Sequence, residues 1–212
     1  MSVVATSVRR VTARMTAEQR REQLLTVASR LFVERGYRDT STAQLAAAAS
    51  VTEPVIYRHF RGKRDLYLAC VSRAWEDAQE RLRAAIESEA DPAEWTVAMA
   101  RVGLDTVRSS GRAQLWLQLH GEAHNDPEIS SFAATNLREV HDFARAIVER
   151  AQRAGGVAPD LNPDVEAWII LSIALMVGSV GRVGLAGDVD IDGIVASRQA
   201  WLRSGFNRAR ER

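Results

Sequence analysis

The side chains able to do chemistry in this chain fall into one dense cluster and a few scattered positions. Between Thr40 and Lys63, in TSTAQLAAAASVTEPVIYRHFRGK, stand Thr42, Thr52, Glu53, Tyr57, Arg58, His59 and Lys63, with Val55 as a methyl-bearing group among them. Hydrogen-bond donors, cations and a methyl contact spread over two helical turns are what the reading of base edges and phosphates in a DNA major groove requires. Catalysis is not suggested: there is no nucleophile elbow, no phosphate-cradling loop and no carboxylate pair in a Gly-rich setting. His120 and His124 are four residues apart with Glu122 between them, a spacing that can hold a metal on a helix. The zinc-protease pattern needs Glu directly after the first His, where this chain has Gly121, so the two histidines are read as lining a pocket or facing water. Cys70 is the single cysteine, which excludes an internal disulfide, and its place on an apolar helix face makes it an inert buried thiol. No catalytic residue, metal or cofactor is expected, and the chain is not read as an enzyme.

The cluster needs a scaffold, and the sequence supplies one. Thr40, Ser41 and Thr42 offer N-cap oxygens to a short alanine-rich helix, Ala43 to Ala49, whose one large apolar side chain is Leu45. Ser50, Val51 and Thr52 form a turn. Thr52 caps a second helix with Pro54 in its first turn, where a missing N–H costs nothing. Leu45, Ala49, Val51, Ile56 and Phe60 then close a small core between two crossing helices, which turns Glu53, Val55, Arg58 and His59 outward with Tyr57 at the edge. Upstream, Thr16 and Gln19 have capping-box spacing, and Leu24, Leu25, Ala28, Leu31 and Phe32 form an apolar stripe ending at Gly36. Downstream, a long helix is predicted from Lys63 to about Glu89, with Leu66, Leu68, Ala69, Val71, Trp75, Ala78, Leu82 and Ile86 on its apolar face. Lys63 brings its charge and a helix N-terminus to the edge of the reader, fit for a phosphate. The long helix is a lever from the body to the reading helix.

Charge is divided along the chain. Residues 1 to 65 hold 12 Lys or Arg against 6 Asp or Glu, while the rest of the 212 residues hold 16 against 21. The cationic part is the part with the paired helices, the polarity that phosphate contacts and counterion release require. Lys63 is the sole lysine among 28 basic residues. Residues 1 to 15 lack periodicity and are expected to be a flexible arm, with Arg9, Arg10 and Arg14 able to reach a minor groove. No apolar run follows those arginines, so a leader is not expected, and a cytoplasmic location fits.

Breaks at Asp91-Pro92, Gly111, Asn125 to Pro127, Gly155-Gly156, Asn162-Pro163 and Gly184 to Asp190 divide the remainder. Helices are predicted at Pro92 to Ser109, Arg112 to His124, Pro127 to Ala154, Pro163 to Val183 and Ile191 to Phe206, with no strand, so the fold class is all-α. Trp168 to Val180 is apolar nearly all round, too short as a stretch to span a bilayer, and must be buried on more than one side, most simply by a second subunit. Gly178, Gly181 and Gly184 are expected to allow close backbone approach on one side of it. Trp95, Met99, Trp116, Phe132, Phe143, Trp168 and Met176 suit an apolar cavity, with His120, Gln118 or His141 as its polar exceptions.

Gly36-Tyr37, Thr40, Thr42, Leu45-Ala46, Ala49, Val51-Thr52, the run Ile56 to Phe60 and the run Lys63 to Leu66 together resemble the N-terminal helix-turn-helix of the TetR family of transcriptional regulators. The resemblance covers about Thr16 to Leu68. It implies a three-helix DNA-binding domain over residues 16 to 65 and a helical effector-binding and dimerisation domain over 66 to 212. The helices Pro163 to Val183 and Ile191 to Phe206 are similar to those that build the family's dimer. The implied function is a homodimeric repressor on a near-palindromic operator, released by an apolar or amphipathic small molecule, with readers about 34 to 36 Å apart. Tyr57, His59 and Lys63 would position phosphates, Thr42 and Thr52 would support them from the helix starts, and Val55, Arg58 and Glu53 would read bases. A ligand-sequestering protein with a non-functional reader is the alternative. One departure stands out: the family usually has Gly where this chain has Ser50, at a turn position that favours a left-handed backbone, and a non-Gly residue there costs on the order of 1 kcal/mol.

Overall fold

A computed structural model of the chain describes residues 15–109, 111–185 and 187–209, and the elements among them are helical. The arm with Arg9, Arg10 and Arg14 lies outside the described residues.

The first helix, α1, spans Ala17–Arg35 and begins on the expected capping box, with Thr16 Oγ1 accepting from the Gln19 N–H and Gln19 Oε1 accepting from the Thr16 N–H. Helix α2, Thr42–Ala48, opens on a second capping box, Ser41 with Gln44. Thr40 is not a cap: it is buried and donates to Gly36 O over 2.7 Å, pinning the loop that leaves α1. Helix α3, Glu53–His59, starts after Thr52 with Pro54 in its first turn, but the Thr52 side chain makes no capping bond, which corrects the expectation for that residue. Helix α4, Lys63–Glu87, follows the two-residue turn at Arg61 and Gly62.

The turn between α2 and α3 is a Schellman motif. Val51 N–H donates to Ala46 O at 2.9 Å and Ser50 N–H to Ala47 O at 3.1 Å, which satisfies carbonyls that α2 would otherwise leave bare. The motif puts its C′ residue in the left-handed region, and that residue is Ser50 at φ 54°, the only non-Gly described residue with positive φ.

The body adds a short 3₁₀ turn at Pro92–Glu94 and helices α5 (Trp95–Ser109), α6 (Gly111–Glu122), α7 (Pro127–Arg153), α8 (Pro163–Arg182) and α9 (Ile191–Ala209). Asp126 and Asn162 cap α7 and α8 by accepting from the first-turn N–H groups, each ahead of a proline at the helix start. Near its end α9 breaks at Gly205, φ 61°, where an added Cβ would lie 2.1 Å from Asp160 Oδ1; only glycine fits there.

Packing does not stop at residue 65. Leu24, Leu25, Phe32, Leu45 and Ile56 of the first three helices, with Phe60 just past α3, share one core with Tyr67, Cys70 and Val71 of α4, Leu115 and Leu119 of α6, and Ile129 and Ala133 of α7. A second core joins α4 to α5, α7 and α8 through Leu82, Ile86, Met99, Ala144, Ile147 and Leu171.

Helix α8 is buried on one side only among the described residues. Ala167, Leu171, Val177 and Gly178 face inward, whereas Val165, Trp168 and Met176 remain exposed, as do Val183 and Leu185 just beyond the helix. The glycines do not form a row. Gly178 packs inward, its added Cβ falling 2.7 Å from Leu117 Cδ1; Gly181 has open space; and Gly184 lies past the helix end at φ 78°. A three-residue step turns a helix by 300°, so such a series winds around the axis. By length and composition this 20-residue helix is able to cross a membrane, a length that the uninterrupted apolar stretch alone understated, yet it packs against α7, α5 and α6.

Candidate nucleic-acid interface and effector cavity

The reader is built as its sequence dictates. Leu45, Ala49, Ile56 and Phe60 are each at most 3% exposed, so the two short helices are locked back to back against α1. On α3, Tyr57 is 52% exposed, Arg58 is exposed, and Glu53, Val55 and His59 are half-buried. Thr42 at the start of α2 is half-buried and Thr52 exposed. Arg21 of α1 lies over the Phe60 ring at 5.0 Å and covers the back of α3, while Gln23 donates to Ala49 O at the motif's turn.

Lys63 stands differently from the sequence-based expectation. Its Nζ donates to Tyr37 O at 2.9 Å and Arg38 O at 3.4 Å, and sits 4.4 Å from the centroid of the Tyr37 ring. Burial pushes its pKa below the usual lysine value, while Glu122 and Asp39 oppose that shift. Lys63 therefore ties the start of α4 to the loop between α1 and α2, which places the reader as well as offering it a charge.

The body grips this head through the turn between α6 and α7. Arg38 donates to Glu122 at 2.9 Å, and Arg64 pairs with Asp126 at 3.0 Å and with Glu128. The Arg64 hydrogen bond holds the Asp126 carboxyl below the usual carboxylate range. Beneath these pairs Tyr67, wholly buried, donates its hydroxyl to Leu115 O of α6 at 3.2 Å. The one signal for Tyr67 in the sequence is the apolar spacing Tyr67, Cys70, Ala74, Ala78, which marks it as inward.

The cavity lies among α4, α5, α6, α7, α8 and α9, with a volume of about 210 Å³. Its walls include Val71, Trp75, Met99, Trp116, Phe143 and Leu171. Of the six expected pocket residues, Met99, Trp116 and Phe143 line it. Trp95, His120 and Trp168 do not. Trp95 donates from Nε1 to Glu89 O at 3.0 Å and lies under Arg150. His120 turns Nδ1 onto Trp116 O at 2.7 Å, and its ring meets the Trp116 ring edge to face. Trp168 is on the outer side of α8, 44% exposed and stacked on His141 at 4.3 Å. Phe132, Met176, Gln118 and His141 are also absent from the wall, whose polar members are Thr96, Thr106, Arg198 and Gln199. A helical residue three or four places from a wall residue shares its face only if the helix axis runs beside the cavity, which spacing alone does not reveal. Among the described residues no group of acidic, His and Cys side chains could hold a metal.

Comparison with known proteins agrees with this arrangement. Residues 24–70 match the bacterial regulatory proteins of the tetR family, and residues 92–204 match the C-terminal domain of BetI-type transcriptional repressors. The chain is similar to the transcriptional activator FasR of Mycolicibacterium smegmatis, 38% identical over 89 residues that make up 35% of this chain and 41% of that protein. It is 21% identical to the transcriptional regulator UidR of Escherichia coli K12 over 190 residues, 90% of each chain. Its fold is also that of AibR, whose crystal structure holds isovaleryl coenzyme A and operator DNA, with a TM-score of 0.64 and 24% identity over 88% of this chain and 100% of that one. A helix-turn-helix built on a Schellman turn and gripped by a helical body, with family matches running across both, makes this chain a member of the TetR family of transcriptional regulators.

Proposed function

We propose that the protein works in the cytoplasm as a homodimeric repressor that holds a near-palindromic operator and leaves it when a small apolar or amphipathic molecule fills the body cavity. The observation that carries this reading is the double duty of α6. Its Trp116 and Leu117 form cavity wall, while its Leu115 and Leu119 lie in the reader's core and its Glu122 binds Arg38. A ligand that favours one position of α6 biases the reader by the same free energy, and a coupling of ~1 to 3 kcal/mol is enough for induction. Helix α4 is a second connection, since it begins beside α3 and lines the cavity with Val71, Trp75 and Leu82.

The outward arc of exposed Tyr57 and Arg58 with half-buried Val55 supports a division of labour on DNA. Val55, Arg58 and Glu53 would meet base edges, and Tyr57, His59, Thr42 and Thr52 the phosphates, with Lys63 setting the reader's angle and sharing its charge. The exposed apolar side of α8, with Trp168, Met176 and Val165, supports a dimer in which α8 and α9 pack against their copies. The AibR crystal structure, which holds both isovaleryl coenzyme A and operator DNA, is consistent with a fold that takes a small molecule as well as DNA.

Selection of bound DNA from a random pool tests the reading. The expected product is a near-palindrome with half-site centres about 34 to 36 Å apart or somewhat more. Binding without sequence preference overturns it, and cavity binding with no salt-sensitive DNA affinity would mark a sequestering protein instead. Sedimentation at micromolar concentration tests the dimer: a lone 23.4 kDa species would remove it.

A further inference from the structure

The cavity has one charged side chain on its wall among the described residues, Arg198 of α9. Its guanidinium pairs with Glu166 of α8, which does not itself line the cavity. The pair is deeply placed, with the Glu166 side chain 5% exposed and that of Arg198 19% exposed, and burial pulls the Arg198 pKa down from its usual value. The Nε–H of Arg198 has no acceptor among the described residues. A buried ion pair is a poor source of stability, because the desolvation of both charges consumes most of their attraction and apolar residues of similar size commonly do as well. Around it the wall is almost wholly aliphatic and aromatic, with Leu171, Val195 and Leu202 among its members.

The sign of charge decides what such a site accepts. A ligand carboxylate drawn to Arg198 would stand near Glu166 as well, and a ligand ammonium would meet Arg198; in an apolar surround each like-charge approach is weakly screened. A neutral acceptor avoids both penalties and can still take a hydrogen bond from the Arg198 guanidinium at the cavity wall. On the reading of this cavity as the effector site, we propose that the effector is a compact molecule with an apolar body and a neutral carbonyl end of the ester, thioester or amide class, and that the Arg198–Glu166 pair recognises that end and rejects the free acid. The volume suits a small body, since pockets for drug-sized ligands measure roughly 300 to 1,000 Å³.

Methyl octanoate and octanoate are the probes, titrated calorimetrically at neutral pH into the full-length parent protein, E166Q, and the double variant R198M/E166L. The parent is expected to bind the ester at least ~10-fold more tightly than the acid. Glu166→Gln keeps an oxygen for Arg198 but removes the negative charge, so octanoate should gain on the order of tenfold while the ester changes little, a reversal that a purely structural pair would not produce. R198M/E166L keeps the volume and leaves no orphan charge, and it should lose affinity for the ester while still refusing the acid. Equal affinity of the two probes for the parent, or no gain for octanoate in E166Q, overturns the neutral-end rule and leaves the cavity reading standing. If neither probe binds the parent, the rule and the cavity reading fall together.

Discussion

Ser50 offers the sharpest measurement of how the reader is held. It is the C′ residue of the Schellman turn between α2 and α3, at φ 54°, and its side chain is exposed. A left-handed L-residue costs about 1–2 kcal/mol, while glycine gives back about 0.5–1 kcal/mol in backbone entropy. Ser50→Gly should therefore stabilise the protein by about 0.5–1 kcal/mol, because both turn hydrogen bonds, Val51 N–H to Ala46 O and Ser50 N–H to Ala47 O, come from the backbone and survive the change. In a chain of this size that is a rise of about 1–4 °C in Tm. Two controls isolate the cause. Ser50→Ala keeps the Cβ and the strain and should stay within about 0.5 kcal/mol of the parent, and Ser50→Val, β-branched in a left-handed position, should lose more than about 1 kcal/mol. Urea titration followed by circular dichroism reads all three, with an unchanged slope showing that the denatured state is unaltered. Operator selection by S50G should be unchanged. A glycine variant no more stable than the parent, alongside a stabilised alanine variant, would show that the serine side chain and not the backbone sets the cost.

Lys63→Ala should lower stability by about 1 kcal/mol, through loss of the bonds to Tyr37 O and Arg38 O, and weaken DNA of every sequence alike; an altered operator preference in a selection experiment would place Lys63 among the base readers. Tyr67→Phe removes the bond from α4 to Leu115 O at nearly constant volume, and denaturant titration should register a loss of about 0.5–1.5 kcal/mol; no loss would mean the hydroxyl contributes nothing to holding α6. Burial pushes the Cys70 thiol up to about 12, so a thiol reagent should leave the native protein unmodified at neutral pH and react only after unfolding. Because the folded-state pKa is the higher one, the stability linked to Cys70 is fully present below the unfolded value of about 8.5 and declines as pH rises from there toward about 12. Rapid labelling of the native protein would contradict the packing of Cys70 against α1.

The helices were legible because their signals are local. Thr16 with Gln19 makes a capping box wherever the chain goes, Pro127 and Pro163 open helices after Asp126 and Asn162, and the 3.6-residue spacing of Leu24, Ala28, Leu31 and Phe32 determines one buried face. The reader was legible for the same reason. Its core, its exposed face and even the strained turn at Ser50 lie within two dozen consecutive residues, so their contacts are nearly fixed by helix geometry and turn type.

What only the tertiary structure decided depends on how distant helices meet. Trp95, His120 and Trp168 are flat or polar side chains on helices that border the cavity, but which side of each helix faces inward depends on its rotation and crossing angle with neighbours as much as a hundred residues away. The same is true of the groups that were missed. Arg198 and Glu166 are 32 residues apart and meet because α9 lies against α8, and Lys63, positioned for a phosphate by its place at a helix start, is instead turned onto two carbonyls of the loop that Thr40 pins to α1. The reader follows from short-range backbone geometry that neighbouring residues specify; the cavity, its buried ion pair and the grip of α6 on the reader come from long-range side-chain packing.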